Sequence, residues 1–189
     1  MGIVTKRQNG VSFRQTEPYS LRANIFDTYT CKSCNAKELE MEIIEQLEKT
    51  MNDTLKYFDL KEEDLQKNYG AGKWSARYVL HHIADSESIF LYRIRRIISE
   101  PKQVIWYVDG EAWANKLDYS QVPLTLAKSI YVSSRGAIIY YARHHYQDSE
   151  EIKFVHSQAG LRTLKDEFDK VVWHNQQHAD QIEKALLIR

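Results

Sequence analysis

The chain has 189 residues, and its 26 Lys and Arg side chains balance 26 Asp and Glu, so the formal net charge is zero. This balance disfavours a nucleic-acid-binding surface, which needs a basic excess, and no apolar run approaches the ~18 residues that cross a bilayer. The N-terminus also lacks the apolar core of a secretory signal. We therefore expect a cytoplasmic protein without a nucleic-acid or membrane partner.

The first 35 residues differ in character from the rest of the chain. They show no sustained hydrophobic period, and we interpret 1–35 as an irregular N-terminal arm before a domain over 36–189. The arm carries the only two cysteines, Cys31 and Cys34, in a CxxC pattern. Without a second pair, this pattern cannot complete a four-cysteine zinc site, so we favour incidental thiols over a redox or metal role.

Only 3 prolines and 7 glycines interrupt the chain, which favours a mainly helical protein. A first helix is predicted over 36–58, because its apolar residues recur at helical spacing. That stripe consists of Leu39, Ile43, Leu47, Met51, Leu55 and Phe58. A short helical piece is expected within 59–68. The Gly-Ala-Gly-Lys at 70–73 lacks both the spacing and the preceding strand of a phosphate-binding loop, so it predicts an ordinary loop.

A second helix is predicted over 75–99, with Ser75 as its N-cap and Pro101 just beyond its end. Residues 101–122 predict a long loop with a helical turn near 111–114. Such a loop in a compact domain is more often functional than idle. The remaining segments predict a third helix over 123–145, a small β-hairpin over 152–163 and a last helix over 164–188.

The second helix carries two adjacent histidines that differ in direction. His82 falls on the apolar stripe and is expected to point inward, whereas His81 is turned about 100° away and is expected at the flank. Asp85 follows His82 by three positions and lies close enough to influence the same site. The arginines at 93, 95 and 96 are interpreted as a solvated face, with attraction of an acidic thiol cofactor as the alternative.

The last helix carries His174 and His178, four positions apart and therefore on one face, which is otherwise apolar. Each histidine alone is more typical of a packed core. Together with His82, however, they offer three neutral imidazoles from two helices, which is the donor set of a catalytic zinc site with an open fourth position. Imidazole also suits nickel, copper and iron, so the ligands do not identify the metal.

Other side chains are candidates for supporting roles at this site. Asp85, Gln177 and Gln181 are candidates to orient the imidazoles by hydrogen bonds, and Asp85 and Glu87 are candidate catalytic acids or bases. A solvated position is the default expectation for the remaining histidines, His144, His145 and His156, with the entrance to the site as the alternative for His156.

Several motifs together carry a family resemblance. They are Trp-Ser-Ala-Arg-Tyr-Val-Leu-His-His-Ile-Ala-Asp-Ser-Glu at 74–87, Gly-Glu-Ala-Trp-Ala at 110–114, Phe-Val-His at 154–156, and Trp173 through His178 with Gln181. This combination resembles the DinB-like superfamily, particularly its YfiT-like branch, over roughly 36–189. The resemblance implies an all-α, four-helix bundle with a small hairpin before the last helix. It also implies zinc or nickel on His82, His174 and His178.

The resemblance leaves three functions open. One is a metal-dependent hydrolase, the second is a metal-dependent S-transferase of a low-molecular-weight thiol such as bacillithiol or mycothiol, and the third is a non-catalytic ligand-binding bundle. A small-molecule substrate and a homodimer are also implied. The chain departs from the family at its closing motif, which reads His-Asn-Gln-Gln-His, and Ser157 and Asn175 replace family prolines and glycines. These departures leave the substrate undetermined.

Overall fold

The computed structural model of the chain describes residues 32–100 and 102–188. The elements run in the order α1 (Lys32–Leu55), a 3-10 turn (Lys56–Asp59), α2 (Glu62–Leu65), α3 (Ala76–Ser99), β1 (Val104–Ile105), α4 (Gly110–Lys116), α5 (Leu124–His145), β2 (Lys153–His156), β3 (Gly160–Thr163) and α6 (Leu164–Leu187). The four helices predicted from hydrophobic periodicity are all present. The predicted arm lies outside the described residues, apart from 32–35, which open α1.

Side-chain caps explain where two of the long helices begin. The Ser75 hydroxyl accepts a hydrogen bond from the backbone N–H of Tyr78, which confirms the predicted N-cap of α3. At the start of α6, Thr163 and Asp166 exchange side-chain and backbone hydrogen bonds in a capping box. These caps satisfy N–H groups that a helix leaves without internal partners.

The four long helices form a bundle in which α3 contacts α5 and α6, and α1 contacts the same two helices. Within the described residues, α1 therefore lies diagonally across the bundle from α3, and α5 lies diagonally across from α6. This arrangement confirms the predicted four-helix bundle. It also places α3 directly beside α6, so that the inward faces of these two helices meet.

Apolar side chains fill the space between the helices in two clusters. One cluster joins α1, α3, α5 and α6 and includes Ile105 and Phe154 from the strands, while the other lies around Phe58 and Leu80. Leu80 is fully buried, and burial of such a side chain stabilises the fold by roughly 1.5–3 kcal/mol. None of the described helices is both long and apolar enough to cross a membrane.

A three-stranded sheet covers one end of the bundle. Strands β2 and β3 form the predicted antiparallel hairpin, with Phe154 opposite Arg162. Strand β1 pairs with β2 in parallel, with Val104 opposite Val155. Strand β1 was not predicted, because two residues are too few for a periodic signal. Helix α4 is longer than the helical turn predicted near 111–114. The pairing holds the 102–122 segment against the last part of the chain.

Candidate metal centre

His82 on α3 meets His174 and His178 on α6. The ring centroids lie 5.2 Å apart for His82 and His174, 4.5 Å for His82 and His178, and 4.4 Å for His174 and His178. One ring nitrogen from each histidine lies within 4.8 Å of the other two. The structure therefore brings the three predicted ligands together.

Neighbouring side chains hold these rings in place. Gln181 Oε1 lies 3.0 Å from His178 Nδ1. Since an amide oxygen only accepts, Nδ1 must carry the proton, and Nε2 keeps a free lone pair. This contact is the kind expected of a side chain that orients an imidazole, the role predicted for Gln181. Trp74 packs on the ring of His82 at 5.0 Å between centroids.

Burial keeps all three imidazoles in the neutral form that binds metals. It lowers the pKa of His82 to about 4, with the nearby His178 adding to the effect. It lowers the pKa of His174 still further, and both other histidines contribute. The pKa of His178 is also lowered by burial, while its hydrogen bond to Gln181 opposes the shift. Three neutral nitrogen donors fit a borderline divalent ion such as zinc or nickel.

A cavity of about 260 Å³ opens beside the cluster, lined by His82 and His174 together with residues of α4 and β2. The backbone of Gly110, at the start of α4, lies against the His82 ring. A Cβ at this position would stand only 2.7 Å from His82 Cε1. The glycine therefore allows α4 to approach the imidazole closely.

Asp85 faces a different neighbour from the one predicted. Its Oδ2 accepts a hydrogen bond from the hydroxyl of Tyr119 at 2.5 Å. Burial raises the pKa of Asp85, and this hydrogen bond partly opposes the shift. His81 is not at an open flank but buried, with its ring stacked on Tyr119 at 5.1 Å. Both residues thus belong to the contact between α3 and the segment after α4.

Glu87 is buried in an ion pair with Arg135, whose guanidinium donates to both of its carboxylate oxygens. Neither Glu87 nor Asp85 belongs to the group of ligand atoms formed by the three histidines. The structure therefore does not bring the two predicted catalytic carboxylates to the cluster. Their catalytic role stays a prediction.

Three residues at the cavity were missed or misread in the sequence. The default expectation of solvent exposure is wrong for Arg93 and His156, which are buried at 5% and 6% exposure, and His156 takes the alternative position beside the site. They line the cavity with Lys170. Helical spacing held a signal for two of them, because Lys170 lies four positions before His174 and Arg93 eleven positions after His82.

Charged side chains of both signs lie near His156, because an adjoining cavity lined by His156 and Lys170 is also lined by Asp166, Glu167 and Asp169. Burial lowers the pKa of His156, and the cations Arg93, Lys170 and Arg162 lower it further. Glu167 is the buried acidic neighbour, and burial raises the pKa of its carboxyl.

The fold and the site therefore describe a four-helix bundle in which three histidines from two helices form a candidate metal centre. Residues 46–182 match the DinB superfamily model. The chain therefore belongs to the DinB superfamily.

Relatives and a solved structure agree with this assignment. Two proteins of Oceanobacillus iheyensis, both provisionally named metal-dependent hydrolases, match the chain. The first is 28% identical over 74% of this chain and 79% of its own length. The second is 26% identical over 67% of this chain and 73% of its own length. A Bacillus cereus protein with the same provisional name is 26% identical over 82% of this chain and 89% of its own length. YfiT from Bacillus subtilis, described as a probable metal-dependent hydrolase with an unusual four-helix bundle topology, superposes with a TM-score of 0.70 at 22% identity, covering 88% of this chain and 91% of YfiT. This likeness shows the fold.

Proposed function

We propose that the chain is a metal-dependent hydrolase in which His82, His174 and His178 hold one zinc or nickel ion. The observation that supports this proposal is the convergence of three neutral imidazole nitrogens within 4.8 Å, beside a cavity that a small-molecule substrate can enter. The names of the relatives point to the same class of reaction. Three protein ligands leave one coordination position for exchange, as catalytic sites require.

A bound divalent ion supplies Lewis acidity and makes water a nucleophile near neutral pH. The chain's own residues prepare that chemistry. Gln181 holds His178 in the tautomer with a free Nε2, and Trp74 and Gly110 enclose the His82 ring. Neither predicted catalytic carboxylate is assigned a proton-transfer role in this proposal, because Asp85 accepts a hydrogen bond from Tyr119 and both oxygens of Glu87 are engaged by Arg135.

A second candidate is a metal-dependent S-transferase that uses a low-molecular-weight thiol. The observation that favours it is a second, largely apolar cavity of about 380 Å³ that shares Ile89, Arg93 and Val108 with the first. Two adjoining cavities suit a reaction between two molecules, one of them bulky. In that reaction the ion would lower the pKa of the thiol and favour its nucleophilic thiolate form.

The metal assignment is tested with histidine variants. We expect His174→Ala and His178→Ala each to lose most of the bound metal when the purified proteins are compared by elemental analysis. His144→Ala is the matched control, because His144 is exposed at the end of α5 and should not affect metal content. Equal metal content in all three variants would reject the assignment.

The reaction is tested with the zinc-loaded and nickel-loaded wild-type protein. Turnover of simple esters or amides that disappears in His178→Ala supports the hydrolase. Turnover that requires an added thiol and an electrophile supports the S-transferase instead. Full metal loading without turnover of either substrate panel would contradict both enzymatic proposals and favour a ligand-binding bundle.

A further inference from the structure

The cavity beside the three histidines contains hydrogen-bond donors that the metal site does not use. Arg93 comes from α3, His156 from the end of β2 and Lys170 from α6, so three separate elements direct basic side chains to one cavity. Lys170 lies one helical turn before His174, so it shares the face of α6 that carries the candidate ligands. This arrangement requires an explanation, because buried cations and donors normally have partners.

His156 is the clearest case. Its Nδ1 accepts hydrogen bonds from the backbone N–H groups of Gln158 and Ala159, both at 3.2 Å. Since a backbone N–H only donates, the ring proton must lie on Nε2. That Nε2–H is buried and has no hydrogen-bond partner among the described residues. A buried donor without a partner costs roughly 1–3 kcal/mol, so its retention points to a ligand that accepts from it.

Lys170 and Arg93 also have donors to spare. Within the described part of the chain, Lys170 Nζ forms no hydrogen bond or ion pair. It lies 5.9 Å from the centroid of the Phe90 ring. One Arg93 nitrogen donates to the Trp106 carbonyl, and another lies 4.0 Å from Glu167, too far for a hydrogen bond. Glu167 thus offsets part of the positive charge, while Asp166 and Asp169 in the adjoining cavity are engaged by Thr163 and by Tyr146 and Lys165. Glu111 also lines the cavity, but it is exposed.

We infer that Arg93, His156 and Lys170 form a subsite for an anionic group of the substrate, a carboxylate or a phosphate. This inference rests on the proposed function and narrows its substrate class to anionic small molecules. Such a group accepts from the His156 Nε2–H and from the two cations at once, which are charge-assisted hydrogen bonds. It would hold the rest of the substrate beside His82 and His174, where the reacting bond must lie.

The test measures anion binding apart from metal binding. Metal-free protein, prepared by dialysis against a chelator, is titrated by calorimetry with inorganic phosphate and, separately, with succinate. We expect saturable binding of at least one anion, and the stronger of the two identifies the group. Lys170→Met should weaken that binding at least about tenfold, since a hydrogen bond to a charged group is lost. Lys170→Arg should retain most of it, and Lys184→Met, an exposed lysine on α6, should bind as wild type does.

The outcomes separate this inference from the metal proposal. Absence of saturable binding in the wild type, or wild-type affinity in Lys170→Met, overturns the anion subsite. Retention of the wild-type metal content by Lys170→Met shows that the variant is folded and that the lysine acts on the anion. Anion binding in a protein that takes up no metal would reject the hydrolase while the subsite stands.

Discussion

The absence of a side chain at Gly110 allows α4 to lie against the His82 ring of the candidate metal centre. Its backbone lies so close to the His82 ring that a Cβ would stand 2.7 Å from Cε1 and 3.2 Å from Nδ1. The Trp74 ring also packs on His82, with 5.0 Å between the ring centroids. The orientation of this imidazole therefore depends on the glycine.

Gly110→Ala is expected to weaken metal binding by about tenfold or more, because residues that support a metal ligand typically contribute 10–100-fold. The measurement is competition for zinc with a chelator of known affinity. Gly136→Ala is the matched control, since a Cβ there meets no atom within 4 Å. That helical position should instead gain about 0.5–1 kcal/mol of stability without a change in zinc affinity. Unchanged zinc affinity in Gly110→Ala would show that His82 does not depend on the glycine.

At the scale of the helices, buried polar side chains determine how α6 presents its histidines. Asn175, which lies between His174 and His178 in the sequence, is fully buried. Its Oδ1 accepts from the Thr54 hydroxyl of α1, and its Nδ2 donates to the Tyr131 hydroxyl of α5. Rotation of α6 about its axis would break both bonds, so this departure from the family pattern anchors the face that carries the candidate ligands.

The fully buried Arg135 extends this network from α5. It donates to both oxygens of Glu87 on α3 and to the Leu47 carbonyl and Thr50 hydroxyl on α1. Arg135→Met should reduce the free energy of unfolding by about 3–5 kcal/mol, because it leaves Glu87 buried and unpaired. The double variant Arg135→Met with Glu87→Met should recover much of that loss, because it removes both charges. Urea denaturation measures each variant.

The control for this cycle is the exposed pair of Arg143 on α5 and Glu48 on α1. Arg143→Met should change stability by less than about 1 kcal/mol, because water already solvates both charges. An Arg135→Met variant that is no less stable than Arg143→Met would contradict the view that the buried pair holds α1, α3 and α5 together.

The sequence predicted those features of the structure that depend on a local hydrophobic period or on a helix cap. Four long helices, the Ser75 cap and the spacing of His174 and His178 follow from contacts within a few residues. The diagonal placement of α1 and α3 depends on packing between distant segments, which periodicity does not encode. For the same reason the sequence favours a solvated His156 over one at the site entrance, because its burial arises from elements far away in the chain.

At the scale of the whole molecule, its buried imidazoles make stability depend on pH. Burial lowers the pKa of His81 to about 4, and it also lowers the pKa values of the three clustered histidines and of His156. In the unfolded chain these groups take up protons below about pH 6.5. Between about pH 6.5 and pH 4 the unfolded state therefore binds more protons, and the free energy of unfolding falls as the pH is lowered.

Two carboxyls act in the opposite direction. Burial raises the pKa values of Asp85 and Glu167. Each is therefore protonated more readily in the folded chain, and the stability it contributes is present at low pH and lost as the pH rises through its folded pKa. Because five imidazoles oppose two carboxyls, we expect the free energy of unfolding to fall on acidification.

Urea unfolding of the metal-free protein should therefore show a lower midpoint at pH 5 than at pH 7.5. His81→Phe should reduce the difference in the free energy of unfolding between the two pH values, by at most about 3 kcal/mol, since one pKa unit corresponds to about 1.4 kcal/mol. The Phe side chain retains the stack on Tyr119. Zinc should steepen the dependence in the wild type, because a bound ion stabilises only the folded state and competes with protons for the imidazoles. A midpoint that stays constant or rises on acidification would show that these imidazoles are not held neutral by the fold.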